Sequence, residues 1–429
     1  MAAAVLMDGA LQMAADAWEI VRHAPAWILL LSVISILFLG FTILYLTLHL
    51  IAPLPRHPHP SEKTYITTSP SGGVTSPQPL ACWHDDWLAH RASSAAGATN
   101  KDTGHIEPAT LAMSVVIPAY NEEERLEVML EEAVAYLDAE YGRVTPSSTT
   151  SKSASKSKSS KSKSPSPPAH PTGYEILLVN DGSSDSTVQT ALRFSHAHAL
   201  HDTLRIVSLT RNRGKGGAVT HGLRHVRGTH AVFADADGAS RFRDLGALVA
   251  GAELVKDSGS RAVAVGSRAH LVGSEAVVKR SFIRNALMHS FHLLLRLLTP
   301  PATSRIRDTQ CGFKLFTRAA LPHIVPYMHA EGWIFDVEML MLAESAPFSI
   351  PGPGAGKGGG QGGKIGGAVR GVRVAEVPIA WQEVGGTSHG SALQGDAEMP
   401  ILLNARQTPC LYFRTSFYQQ APPTAPNRI

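Results

Sequence analysis

Apolar residues along this chain fall into two patterns. The first is a single unbroken run, Ala26 to Ala52, with no charged residue and only His49 as a titratable group. It exceeds the ~20 residues that cross a ~30 Å hydrocarbon core. A secretory signal would carry an apolar stretch of only ~7–15 residues, so the run predicts a retained membrane helix over 26–52. Lysine and arginine are slightly richer after it (Arg56, Lys63) than before it (Arg22). Under the positive-inside rule this favours a cytosolic C-terminal side.

The second pattern begins at Leu111. Short apolar runs (LAMSVVIPAY, YEILLVN, LRIVSL, HAVFA, RAVAVGS) alternate with helix-like segments (NEEERLEVMLEEAVAYLDAEY, SSDSTVQTALRFSHAH, KGGAVTHGLRHV, RDLGALVAGAELVK). Continuous apolar runs bounded by turns predict strands covered on both faces, and the alternation predicts an α/β fold with a mostly parallel sheet. Residues 53–110, rich in Pro, Ser, Thr and Ala, read as a linker in which only ACWHDDWLAH (Ala81 to His90) suggests a short docked helix. Residues 147–170 and 351–367 carry too little apolar surface to offset chain entropy and read as disordered insertions. The expected division is an N-terminal segment 1–25, a membrane helix 26–52, a linker 53–110, an α/β domain 111–400 and a tail 401–429.

Charge and cysteine usage narrow the classes. The formal net charge is +4, but five lysines lie in SKSASKSKSSKSKSPSPP, so the remainder is close to neutral. Nucleic-acid binding needs a basic stripe on a folded face and is not expected. The three cysteines are too few and too scattered for a disulfide framework or a zinc site, and suit a reducing compartment. The glycine-rich stretch at 352–367 lacks the Gly-Lys-Ser/Thr ending of a phosphate loop.

Polar signals gather where the strands should end. PAYNEE follows the first, NDGSSDST the second, TRNRGKGG the third and ADADGAS the fourth. Any one of these is ordinary turn chemistry; four in register at the carboxyl edge of a parallel sheet mark a ligand site. Asp181 suits a base N–H or ribose hydroxyl, while Lys215 and the adjoining glycine backbone suit phosphate at a helix start. Asp235 and Asp237 suit a divalent ion, Mg²⁺ or Mn²⁺, shared with a diphosphate.

SVVIPAYNEEERL, EILLVNDGSSDST, RNRGKGGAV and ADADG together resemble the successive motifs of the inverting family-two glycosyltransferases, which have the Rossmann-like GT-A fold. AVGSRAH, DTQCGFKLFTR and GWIFDVEMLMLAE, with the single N-terminal span, resemble the dolichyl-phosphate glucosyl branch of that family. The resemblance runs from Met113 to about Glu344 and resumes over 372–389. It implies glucose transfer from UDP-glucose to dolichyl phosphate for protein N-glycosylation, at the endoplasmic reticulum membrane, with a cytosolic catalytic domain contacting lipid. Carried over, Pro118, Tyr120, Glu122 and Asp181 line the uridine pocket, and Asp235 and Asp237 form the metal site. Mannosyl relatives tend to place a side-chain ligand two residues after the second aspartate; here Ala239 stands there, which leaves more of the metal to water. Two alternatives stay open: mannosyl transfer from GDP-mannose, and a membrane-tethered nucleotide-sugar binder without catalysis.

An ionised phosphate acceptor needs no general base, so positioning and charge stabilisation should carry the reaction. Arg268 is the candidate grip on acceptor phosphate or leaving diphosphate; the alternative is a surface arginine. Asp308 and Gln310 are candidates for the sugar or acceptor, Cys311 reads as a small buried residue, and Asp336 as a positioning group. KRSFIRNALMHSFHLLLRLL (Lys279 to Leu298) is either a core helix or an interfacial one.

Overall fold

A computed structural model of the chain describes residues 12, 22–51, 55–95, 106–144, 171–271, 299–347 and 371–381. Both expected insertions, the helix candidate Lys279 to Leu298, the tail 401–429 and nearly all of segment 1–25 lie outside the described residues. Helix α1 (Ala26–Ile51) belongs to one compact unit and residues 55–381 to another. Along α1, residues such as Leu37 and Phe38 face outward, and the helix is long and apolar enough to cross a membrane.

The second unit is built on seven strands: β3 (Leu111–Ala119), β4 (Tyr174–Asn180), β5 (Leu204–Ser208), β6 (Gly228–Ala234), β7 (Ala262–Ser267), β8 (Phe313–Thr317) and β9 (Arg373–Pro378). Their order is β5-β4-β3-β6-β8-β7-β9. β3 pairs parallel with β4 and β6, β4 with β5, and β7 with β9; β8 alone runs antiparallel, between β6 and β7. This is the expected mostly parallel α/β sheet. Consecutive residues Val115, Val116 and Ile117, and Ile176, Leu177 and Leu178, are all fully buried. Both faces are therefore covered, which is why these strands read as continuous apolar runs rather than alternating ones.

Helices α3 (Leu126–Tyr141), α4 (Thr187–Ala197), α5 (Lys215–Leu223) and α6 (Leu245–Val255) fall within the predicted helical segments, each shorter at one end or both. On α3 the buried positions Leu126, Met129, Leu130, Ala133, Val134 and Leu137 follow helical spacing. Helix α5 packs on β3 and β4, and α6 on β7 and β9. Helix α7 (Phe335–Ser345) presents its first turn to the carboxyl edge of the sheet through Asp336.

The linker reading of 53–110 does not hold for residues 55–95. A short 3₁₀ turn (Pro60–Lys63), strands β1 (Thr64–Tyr65) and β2 (Gln78–Pro79) and helix α2 (Trp83–Ala95) pack against the sheet domain. Ile66 bridges to Ile206 on β5, and Thr67 Oγ1 donates to the Leu204 carbonyl at 2.7 Å. Trp83 is buried and donates from Nε1 to the Leu223 carbonyl at 2.7 Å; Trp87 is buried beside it. Glu62, fully buried, pairs with Arg56 and accepts from the Thr210 amide at 2.8 Å. These residues build no core of their own. They bury single side chains on a surface already formed, so no local periodicity announces them.

Candidate active site

β4, β3 and β6 lie side by side and parallel, so the loops after Asn180, Ala119 and Ala234 open on one edge. The first two are stitched together. Asn121, in the left-handed region at φ 56°, donates its amide to Ser183 Oγ at 3.0 Å and accepts from the Ser184 amide at 2.9 Å. The Glu122 amide donates to Thr187 Oγ1 at 2.9 Å, and Glu123 exchanges bonds with Asp185 and Ser186. Pro118 is half-buried in β3 and Tyr120 stands exposed beyond it. Glu122 lies in an ion pair with Arg125 at 2.7 Å. Burial nevertheless pushes its carboxyl up to about 7, with the charges of Asp237 and Asp235 adding to the effect against Arg125.

Asp181 is buried and accepts from the Arg213 amide at 2.7 Å. Burial raises it to about 6, opposed by the amides of Arg213 and Gly214. The loop after β5 is thus clamped onto the loop after β4. The Arg213 guanidinium pairs with Glu331, a residue the sequence reading did not single out. The glycines of RGKGG also meet a packing demand that the sequence reading did not anticipate. A Cβ on Gly214 would meet the Glu331 carbonyl at 2.7 Å, one on Gly216 the Ala330 carbonyl at 2.6 Å, and the Gly217 amide donates to the Glu331 carbonyl at 3.1 Å. The start of α5 is glycine-rich because the chain at 330–332 closes against it.

Asp235 and Asp237 flank Ala236 just past the end of β6. Lys215 Nζ sits 2.7 and 2.9 Å from the two oxygens of Asp235 and 5.5 Å from the ring centre of Trp333, which is exposed. Burial would lower the Lys215 ammonium, but Asp235, with Asp336 and Asp237, raises it above the ordinary lysine value. Asp237 accepts from the Ala239 amide at 2.9 Å, and burial together with the Asp235 charge raises its carboxyl. Gly312 explains itself here. Its carbonyl accepts from the Asp235 amide at 3.1 Å, and a Cβ on it would lie 1.9 Å from Asp235 Oδ2.

The segment before β8 delivers the remaining groups. Arg268, just past β7, donates to both oxygens of Asp308 at 2.7 and 2.9 Å and lies 5.7 Å from the Trp381 ring centre. Asp308, expected at the sugar or acceptor, is the carboxylate that holds the Arg268 guanidinium. Gln310 is exposed. Cys311 is buried and burial pushes its thiol up to about 12, as expected of a packing residue. Asp336 is buried against fully buried Lys314 on β8, whose Nζ also donates to the Cys311 carbonyl at 2.6 Å. Lys314 was missed, although a lysine inside the apolar run GFKLFT signals a buried charge with a partner. Glu338 accepts from the amides of His329 and Ala330 and so holds the loop that covers α5.

Around the strand ends stand six carboxylates (Glu122, Asp181, Asp235, Asp237, Asp308, Asp336) and four cations (Arg125, Lys215, Arg268, Lys314). Two adjacent hard carboxylates, one raised by the charge of the other, make an oxygen donor set that fits Mg²⁺ or Mn²⁺. A second cluster, Cys82, His84 and Asp85, gathers within 4.8 Å. There Lys63 already pairs with Asp85, and burial pushes the Cys82 thiol up to about 11.

A family model described as glycosyl transferase family 2 matches residues 162–323. The chain is 36% identical over 358 residues to the dolichyl-phosphate beta-glucosyltransferase of Saccharomyces cerevisiae, covering 82% of this chain and 84% of that one. It is 37% identical over 279 residues to the Homo sapiens protein of the same name, covering 65% and 69%. Among solved structures, glucosyl-3-phosphoglycerate synthase from Mycobacterium tuberculosis, in complex with Mn²⁺, UDP and phosphoglyceric acid, aligns over 64% of this chain and 72% of that one. The identity is 16% and the TM-score 0.37.

Proposed function

The chain belongs to the dolichyl-phosphate beta-glucosyltransferase family, and from that premise we propose that it moves glucose from UDP-glucose to dolichyl phosphate. Inversion at the anomeric carbon gives dolichyl β-D-glucosyl phosphate and UDP. The observation that carries this reading is the Asp235–Asp237 pair with Lys215 against it, at the carboxyl end of a strand whose neighbours supply the Glu122 and Asp181 loops.

Pro118, Tyr120, Glu122 and Asp181 bind the uridine end of the donor. Asp181 is held in place by the Arg213 amide, so its orientation is set before the donor arrives. Asp235 and Asp237 would hold Mg²⁺ or Mn²⁺, which when bound supplies charge neutralisation at the leaving diphosphate. Lys215, paired with Asp235, would add positive charge beside the same diphosphate. Arg268, with Asp308 fixing its plane, presents its guanidinium to acceptor phosphate or leaving diphosphate. Asp336 is neutralised by Lys314 and positions that lysine and the Cys311 backbone. The acceptor is an ionised phosphate, so no residue has to remove a proton.

Helix α1 anchors the enzyme in the endoplasmic reticulum membrane with the α/β domain on the cytosolic side, where a lipid-linked acceptor meets a soluble donor. The test is a donor panel with dolichyl phosphate and Mg²⁺. Transfer from UDP-glucose is expected; transfer from GDP-mannose alone would overturn the donor assignment, and transfer from neither would leave a nucleotide-sugar binder.

A further inference from the structure

The loop after β5 is held from two sides, and one of them lies outside every sequence motif of the site. On the sheet side the Leu209 amide donates to the Asn180 carbonyl at 2.9 Å. The amides of Arg213 and Gly214 then reach Asp181. On the other side stands Glu62, fully buried in the 3₁₀ turn Pro60–Lys63. β5 ends at Ser208, so the Thr210 amide has no strand to pair with, and Glu62 stands in for one. Its Oε1 accepts from the Thr210 amide and from the Thr210 hydroxyl, both at 2.8 Å. Its Oε2 accepts from Arg56 Nη1 at 2.8 Å and from the His59 amide at 2.9 Å. Arg56 adds a 3.3 Å bond to Thr210 Oγ1, and its carbonyl lies 3.5 Å from Arg213 Nη2. Burial would raise the Glu62 carboxyl, but Arg56 and the amides of Thr210 and His59 hold it well below the ordinary carboxylate value. Unlike the strand-end carboxylates, this one is satisfied within the protein and has nothing left for a ligand. What it can do is place the groups it holds.

We propose that Glu62 is a positioning residue for the uridine end of the donor. It fixes Thr210 at the start of the loop, and the Arg213 and Gly214 amides later in the same loop orient Asp181. The inference rests on the donor reading above, in which Asp181 meets uridine. It makes the nucleotide pocket depend on the chain between α1 and β3, where no motif of the site lies. Trp83, in the same stretch, anchors elsewhere, on the Leu223 carbonyl at the far end of α5. The arm thus has one contact that serves the donor loop and another that serves only its own docking.

The test uses the full-length protein in detergent, titrated calorimetrically with UDP and with UDP-glucose in Mg²⁺, then assayed for transfer to dolichyl phosphate. In Glu62→Gln, affinity for both nucleotides should fall on the order of 10-fold, as one charged hydrogen-bond set is weakened. The KM for UDP-glucose should rise to match, while kcat and the KM for dolichyl phosphate stay within about 2-fold. Thr210→Ala loses only an exposed hydroxyl and should show the same split at roughly 3-fold, which keeps the test open should Glu62→Gln fail to fold. In an Asp181→Asn background Glu62→Gln should cost little further affinity, because the two act through one contact. Trp83→Phe should lower the melting temperature with UDP affinity unchanged. Unchanged nucleotide affinity in Glu62→Gln and Thr210→Ala would overturn the proposal, as would an equal loss in Trp83→Phe or full additivity with Asp181→Asn. A loss confined to UDP-glucose would put the effect at the sugar and overturn it too. Wild type that binds neither nucleotide would overturn the donor reading itself, an outcome distinct from all of these.

Discussion

The two ends of one sheet bury carboxylates in opposite ways. At the amino end, fully buried Glu175 receives Ser114 Oγ at 2.6 Å, Arg227 Nε at 2.7 Å and the Arg205 guanidinium at 3.5 Å. Every lone pair has a donor and two arginines answer one charge. At the carboxyl end, Glu122, Asp181 and Asp237 are all raised, by burial first, and Glu122 and Asp237 also by neighbouring carboxylates. Paired burial is what a structure needs from itself. A deficit of positive charge at one edge is what a site needs from a ligand, because the missing cation then arrives with the substrate.

The strongest way to break this contrast is Asp237→Asn. Transfer should fall on the order of 10³-fold, the scale of losing one electrostatic contact to a developing charge, while the melting temperature holds or rises as a like charge disappears. Steady-state kinetics beside thermal unfolding reads both; unchanged turnover would remove the metal role. Gly312→Ala comes next, since its Cβ would collide with Asp235 Oδ2. A loss of roughly 10²-fold in kcat/KM is expected, as for a displaced catalytic group.

At the other end of the sheet, Glu175→Gln should cost about 3 kcal/mol in urea unfolding by stranding Arg227 and leaving Arg205 only Asp202, yet leave the kcat of folded protein alone. A drop in kcat without loss of stability would erase the distinction between the two ends. The smallest effect is a titration. Burial pushes the Glu122 carboxyl up to about 7, above its ordinary value of 4.5. Its folded form therefore binds the proton more tightly, and its contribution to stability declines as pH rises from about 4.5 through 7. The melting temperature of Glu122→Gln minus that of wild type should grow across that window; a flat difference would show that Arg125 fully compensates the charge.

The strand-end loops were legible because each polar motif directly follows a complete apolar run, so register along the chain became register in space. What stayed hidden was set by partners far away in sequence. Glu62 and Trp83 lie in a stretch without periodicity and acquire their places from Thr210 and Leu223. Glu331 carries no motif, yet it pairs with Arg213. Local sequence likewise cannot show that residues 330–332 occupy the space beside the RGKGG glycines. Asp308 was recognised as a site residue but not as the partner of Arg268, a pairing made across 40 positions.

The reversed strand β8 has a consequence for how the protein is made. β7 is synthesised before β8 but reaches the rest of the sheet only through it, since the order runs β6-β8-β7-β9. A chain leaving the ribosome can assemble β3 to β6 and still lack Gly312 against Asp235, Lys314 against Asp336 and the arm that orients Arg268. Glucosyl transfer should therefore switch on abruptly rather than by degrees during synthesis, and termination before β8 should yield an incomplete sheet without catalysis, still joined to the apolar helix α1.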